Sequence, residues 1–394
     1  MPTFSFSRVL GQWLGAHHRA ALVAVWALVQ AGFLLRFHGP HIANDSYRYL
    51  AYAADIAECG YFEPGHNRRY ILYPLFQSAW LWLGAGRWGI VAGQIAASGL
   101  AARALYGAVR RLAGGRRGAA ALATGLFVVW PDVQQFNAYL LTESLFISLS
   151  VLSFAALVRV RAGRGWGPWA ALLALLTLTA LARPNGFVVA LAAALAGLDA
   201  LRCQPDPRPL RAVLVALGLA APLLWQALNH QLATFYLMDT YQRGELIFRS
   251  PLWAVRSAAP LVFPPNGTGP VLRVLYFAAH NPGYFARLAL GKLFAFVSGL
   301  KPYYSLAHRA ANVLLLWPLY VLAGRGARRP DVWRPARVFL GAVPLLQAAV
   351  VMLTVEDYDV RFLAPVLPFV FALVALALWK SWGKVENPAA RGAA

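Results

Sequence analysis

Apolar residues fill most of the chain in blocks of about 17 to 25, the length a helix needs to cross ~30 Å of hydrocarbon, and Gly, Pro and Arg punctuate the breaks between them. Blocks near residues 20–35, 88–109, 118–131, 140–158, 167–182, 187–201, 211–227, 309–323, 338–355 and 362–379 predict about ten spanning helices. None shows the ten-residue alternation of a membrane barrel. The pattern therefore predicts an all-α polytopic membrane protein, a single domain over residues 1–394 with no separate soluble domain.

Composition closes the soluble alternative. Hydrophobic residues make up 59% of the chain and charged residues 13%, against about 25% charged in a soluble domain. The first block follows Arg8, His17, His18 and Arg19 and runs into His38, Gly39, Pro40 and His41 rather than a small-residue cleavage site, so it reads as an uncleaved anchor. Cys59 and Cys203 fall on opposite sides of the predicted membrane, in no metal or redox spacing.

The net charge of +21 suggests nucleic acid in a soluble protein. Here the cations sit in clusters between apolar blocks: Arg110, Arg111, Arg116 and Arg117; Arg159, Arg161 and Arg164; Arg202, Arg208 and Arg211; Arg325, Arg328, Arg329, Arg334 and Arg337; Lys380 and Lys384. With a cytoplasmic N-terminus every cluster falls on the cytoplasmic side, as the positive-inside rule requires. Membrane lipids, not nucleic acid, are the partners this implies, and both termini are expected in the cytoplasm. The same topology puts about 11 of the 15 acids on the far, periplasmic side.

That side also holds the two longest connections, about 37–87 and 228–308, and long loops over a scaffold tend to carry function. Each contains an aromatic, half-apolar stretch, 70–83 and 284–297, suited to a helix lying in the interface. Either could instead span the bilayer, since two added spans leave the ends on the same side. No internal repeat points to inverted halves.

Six groups could carry chemistry. Asn44 and Asp45 directly follow the first span; a carboxylate near hydrocarbon gains basicity and suits a general base, while the plain alternative is a helix N-cap. Glu143 stands in the Leu141-Thr142-Glu143-Ser144 mouth of the fourth span, where an ionisable group is expensive, with a capping role as its alternative. Asp132 closes the third span and reads as structural. Arg183-Pro184-Asn185-Gly186 reads as a tight reversal with Arg183 reaching toward headgroups, with a role in shaping the cavity as the secondary alternative.

The fifth is the set of far-side cations. Arg68, Arg69, Arg256, Lys292, Lys301 and Arg361 are the candidates for holding a phosphate head, bidentately for Arg and as a point charge for Lys. The cluster Glu356, Asp357, Tyr358, Asp359 before Arg361 reads as a solvated turn with Arg361 as partner, with cation or sugar binding as the alternative. No metal site is predicted.

In this order, Asp45, Arg68 and Arg69 ahead of Tyr73-Pro74, Thr142-Glu143-Ser144, Arg183-Pro184-Asn185-Gly186, and a terminal Arg361 with Pro365 and Pro368, the chain resembles GT-C glycosyltransferases. The nearest flavour is glycosyltransferase family 39, which includes protein mannosyltransferases and the lipid A aminoarabinose transferases. The resemblance runs through residues 20–380 in order and topology. It implies a GT-C-like bundle and an inverting transfer of sugar from a polyprenyl-phosphate donor to a lipid, glycan or protein acceptor on the periplasmic face of a bacterial inner membrane.

By the same resemblance Asp45 is the base, Glu143 helps to bind acceptor or carrier, and Arg69 or Arg68 contacts phosphate. Two departures stand out: Asn-Asp-Ser replaces paired acids in the first loop, and no large soluble domain follows the last span. The first weakens the case for a required divalent cation, so no cofactor is expected. The competing class is a transporter or flippase of a lipid-linked sugar, which would place ionisable groups near the bilayer midplane and break helices in paired halves. The acids gather at one mouth instead, which favours the enzyme.

Overall fold

The computed structural model describes residues 6–383 other than 64, 66, 164, 234 and 358; Arg164, Tyr358 and Lys384 lie outside the described residues. The chain opens with α1 (Phe6–Arg36), then α2 (Asn44–Cys59) and α3 (Leu72–Trp82) in the first long connection. Next come α4 (Gly86–Leu112), α5 (Arg117–Val129), a single turn α6 (Pro131–Gln134), α7 (Thr142–Ala162), α8 (Gly167–Ala182), α9 (Phe187–Arg202) and α10 (Arg208–Ala233). The second long connection holds α11 (Leu237–Arg243), α12 (Pro270–His280) and α13 (Pro282–Ser298). Then α14 (Leu306–Ala311) passes through a π turn into α15 (Trp317–Ala327), followed by α16 (Arg334–Leu353) and α17 (Leu367–Gly383).

Helices stand at all ten expected positions, yet six segments are long and apolar enough to cross a membrane: His17–Arg36, Thr142–Arg161, Pro184–Arg202, Arg208–Ala233, Leu306–Ala327 and Arg334–Leu353. Three more, Arg117–Val129, Gly167–Ala182 and Ala364–Leu378, are apolar but shorter. The remaining one, α4, is rich in Gly and Ala and carries Arg87, Arg103, Arg110 and Arg111. The chain is thus an all-α polytopic membrane protein, with apolar crossing length concentrated in fewer helices than the blocks suggested.

Burial separates these helices. α7 is the axis of the bundle, packed between α4 and α8, whereas α10 buries none of its residues and presents apolar side chains all round. Serines make α7 compatible with its central place: Ser150 and Ser153 donate to the carbonyls of Phe146 (2.7 Å) and Leu149 (2.9 Å), and Ser153 lies 3.1 Å from the Thr179 hydroxyl of α8. Small hydroxyl residues allow close approach and keep buried polar atoms satisfied. α17 packs on α15, α5 and α16, and α16 on α9.

A buried polar network ties the far ends of α1, α4 and α7. Gln30 donates to Gln134 at 2.8 Å, Asn137 donates back to Gln30 at 3.0 Å, and Ser144 donates to Asn137 at 2.6 Å. Gln94 of α4 donates to the Tyr139 carbonyl (2.8 Å) and accepts from Tyr73 of α3 (2.7 Å). Fully satisfied networks of this kind fix one arrangement of their elements. The loop helices fold on their own small core, Leu237, Tyr241, Phe277, Tyr284 and Leu288.

Candidate active site

Backbone pairing brings the two acidic mouths together. His41 donates its N–H to the Ala138 carbonyl (2.8 Å) and accepts from Leu140 N–H (2.9 Å), so the segment leaving α1 runs beside the one entering α7. Asp45 in the first turn of α2 and Glu143 in the first turn of α7 consequently share one space.

One guanidinium joins them. Arg361, in the link between α16 and α17, donates from Nη1 to Asp45 Oδ2 at 2.7 Å and from Nε to Glu143 Oε1. Arg183, at the end of α8, brings Nη1 to 2.8 Å from the same Glu143 oxygen, off the hydrogen-bond axis. Its guanidinium also lies over the rings of Phe146 and Phe362. Arg48, one turn on from Asp45, completes the group at 3.7 Å. Burial alone would lower the Arg361 pKa, but the two carboxylates push it well above the ordinary arginine value.

The two acids differ in access. Glu143 is fully buried, and Thr142 donates to its other oxygen at 3.3 Å. Asp45 keeps 39% of its side chain exposed. Neither is a helix cap: α2 begins after Ala43, whose N–H donates to Ser46 Oγ at 3.0 Å, and α7 begins after Leu141 with no side-chain cap.

Local sequence explains the placement of Arg183. Pro184 starts a 3₁₀ turn, and Gly186 passes so close to α8 that a Cβ would stand 2.2 Å from the Thr179 carbonyl oxygen. Asn185 then donates to Gln347 of α16 at 2.9 Å. Arg183 therefore points into the bundle rather than reaching toward headgroups, because its strongest partner is the buried Glu143.

Asp45, Arg48, Arg183 and Arg361 line a cavity of about 700 Å³. Arg48, Arg183, Arg243 and Arg361 line it along with Asp45, Asp239 and Glu356, and apolar side chains of α10, α12 and α16 form the remaining wall. Such a lining, which combines charged groups with apolar side chains, suits an amphiphile with an anionic head.

The expected phosphate ligands are spread out. Arg69 sits over the ring of Phe235, a cavity-lining residue, at 4.9 Å, and Arg68 is exposed beside it on the 3₁₀ turn Asn67–Tyr70. Lys292 is buried and donates to the carbonyl of cavity-lining Thr354 at 2.8 Å. Lys301 is buried against Asp357 and the Ala295 carbonyl (3.0 Å). Arg256 and Asn44 are exposed and do not line the cavity.

The Glu356–Asp359 segment is not a solvated turn. Glu356 pairs with Arg243 and Asp357 with Lys301, both acids being buried. Asp359 accepts from Tyr303 at 3.1 Å and from Tyr304, and burial together with that carboxylate raises both phenol pKa values. Each acid thus has its own partner from the second loop, leaving Arg361 to Asp45 and Glu143. Sequence reasoning passed over Arg48 and Arg243 and misjudged Arg183, although a costly arginine between two short spans was a usable signal.

A bundle of membrane-spanning helices with further helices in its long connections defines the fold of a polytopic membrane protein. Two solved structures of ArnT from Cupriavidus metallidurans share it. The one bound to undecaprenyl phosphate has a TM-score of 0.52 at 14% identity, covering 93% of this chain and 61% of that chain. The apo one has a TM-score of 0.54 at 15% identity, covering 94% and 62%. This chain thus spans about three fifths of the length of those proteins. No protein-family model matches it, and no curated protein matches it in sequence.

Proposed function

We propose that the protein is a membrane glycosyltransferase that moves a sugar from a polyprenyl-phosphate donor to a hydroxyl of a lipid, glycan or protein acceptor on the periplasmic face of a bacterial inner membrane. The observation carrying this reading is the Asp45–Arg361–Glu143 bridge, whose Asp45 and Arg361 line a cavity of mixed charged and apolar side chains. The fold shared with a protein that binds undecaprenyl phosphate supports it.

In the proposed step the acceptor oxygen attacks the anomeric carbon from the face opposite the phosphate. The carbon–oxygen bond to phosphate breaks, its electron pair leaves with the phosphate, and Asp45 takes the acceptor proton. Asp45 suits the base because it faces the cavity. Arg48 and Arg361 suit the phosphate: a donor head competing for Arg361 would free Asp45 while neutralising charge that grows in the transition state. Arg69, over Phe235, and the buried Lys292, bonded to the Thr354 carbonyl, stand behind residues that line the cavity. Full burial between two arginines supports a positioning role for Glu143, holding Arg361 and Arg183 in place.

Comparison of envelope lipids and glycans from cells with and without the protein tests the reading. The expected result is one missing sugar substituent, accompanied by accumulation of its polyprenyl-phosphate-linked form. Identical profiles, under conditions where the protein is made, would overturn it.

A further inference from the structure

A second cavity lies apart from the one that Asp45 lines. About 990 Å³ of space opens between α1, α4, α5 and α7. Helix direction places it at the other end of the bundle: Arg19 begins the first span, which runs toward Asp45, and Arg159 stands near the end of α7, which starts at Glu143.

Its lining has one sign of charge. Arg19 of α1, Arg103, Arg110 and Arg111 of α4, and Arg159 of α7 all face it, and none of the described lining residues is acidic. The positive-inside rule accounts for arginines just beyond a span. Arg103 lies more than two turns before the end of α4, where an ionisable group marks a functional site by default. Below the arginines the wall is apolar, with Leu22, Val23 and Val128.

Two polar atoms on the same wall lack a partner: the Oγ1 of Thr124, which is 4% exposed, and the indole Nε1 of Trp26. Buried groups left this way ordinarily meet a water or a ligand. α1, which forms one wall of the groove through Arg19, Leu22, Val23 and Trp26, is largely unburied along its span. Gly107 of α4 faces it with nothing within 4 Å of where a Cβ would lie.

We infer that this groove is a second lipid site, holding the phosphate head of an anionic glycerophospholipid among the arginines, with an acyl chain along the apolar wall. The charge complementarity selects the anion, and the apolar length selects a lipid over free phosphate. The site does not depend on the reaction proposed for Asp45.

The test is native mass spectrometry of the purified full-length protein in neutral detergent, titrated with short-chain phosphatidylglycerol, matched phosphatidylcholine and inorganic phosphate. One phosphatidylglycerol should bind at least about tenfold more tightly than phosphatidylcholine, and the double variant Arg103→Gln/Arg110→Gln should lose about tenfold or more, as charge-assisted contacts predict. Gly107→Phe, which fills the groove and removes no charge, should weaken the same adduct, and inorganic phosphate should not displace it. Equal binding of the two lipids by the unmodified protein, or phosphatidylglycerol binding indifferent to both variants, would overturn the inference.

Discussion

Arg361 donates to Asp45 across 316 residues of chain while its Nε donates to Glu143, so one guanidinium at the entrance to the last helix holds the acids of the first loop and of the central helix. The bridge is therefore both a clamp on the fold and part of the cavity lining.

The two acids should respond differently to removal. Glu143→Ala leaves Arg183 buried without its counter-charge, and breaking a buried pair typically costs about 3 to 5 kcal/mol. Asp45→Ala removes a partly exposed pair of about 0 to 1 kcal/mol. Thermal unfolding in detergent should show a large loss for Glu143→Ala and a small one for Asp45→Ala. Equal losses would contradict the assignment of Asp45 as the accessible acid.

Gly186 sets the turn that aims Arg183. Gly186→Ala would press a methyl into the Thr179 carbonyl, with overpacking costs of about 1 to 3 kcal/mol. A fall in unfolding temperature is expected together with reduced transfer activity. Gly197→Ala, where a Cβ meets nothing within 4 Å, is the control and should change neither.

Asp132, on the single turn α6, has its carboxyl pKa raised by burial, reinforced by Asp359 and opposed by His308. A raised folded pKa means that the folded state holds this proton more tightly than the unfolded chain. Stability from the protonated acid is complete below the usual carboxylate pKa of about 4 and is lost as pH rises through the shifted value. Asp132→Asn should stabilise the protein at neutral pH, and the gain should vanish in acid. Unfolding curves at several pH values check this, and a gain that grew on acidification would contradict it.

Reporter fusions at Arg116, Arg161 and Arg328 should report the cytoplasm, and fusions near Glu63 and Thr268 the opposite face. The helix directions agree with this grouping, since α4, α7 and α15 all end near the first three positions. A periplasmic signal at Arg161 would contradict the topology.

Much of the scaffold was legible in the sequence because apolar length is a local property. Block lengths located α7, α10 and α16, and clustered arginines marked their ends. Which block lay at the centre was not legible, because α7 and α10 are similarly apolar and differ only in what surrounds them: α7 is mostly buried and α10 not at all. Asp45 and Glu143 were recognisable singly, as acids at the edge of hydrocarbon. Their union through Arg361 was not, because three acids stand within five residues of Arg361 and a local reading pairs it with them. The second loop takes those acids with Arg243, Lys301 and Tyr304, and only the folded chain brings these groups to the hairpin.

The most direct test of the central claim is turnover of donor lipid by purified Asp45→Asn protein, measured beside its binding of undecaprenyl phosphate. The substitution keeps the shape of the side chain and removes its basicity, so turnover should fall about 100-fold to 10,000-fold while the carrier still binds. Turnover within a few-fold of the unmodified protein would show that Asp45 is a partner of Arg361 and not the base.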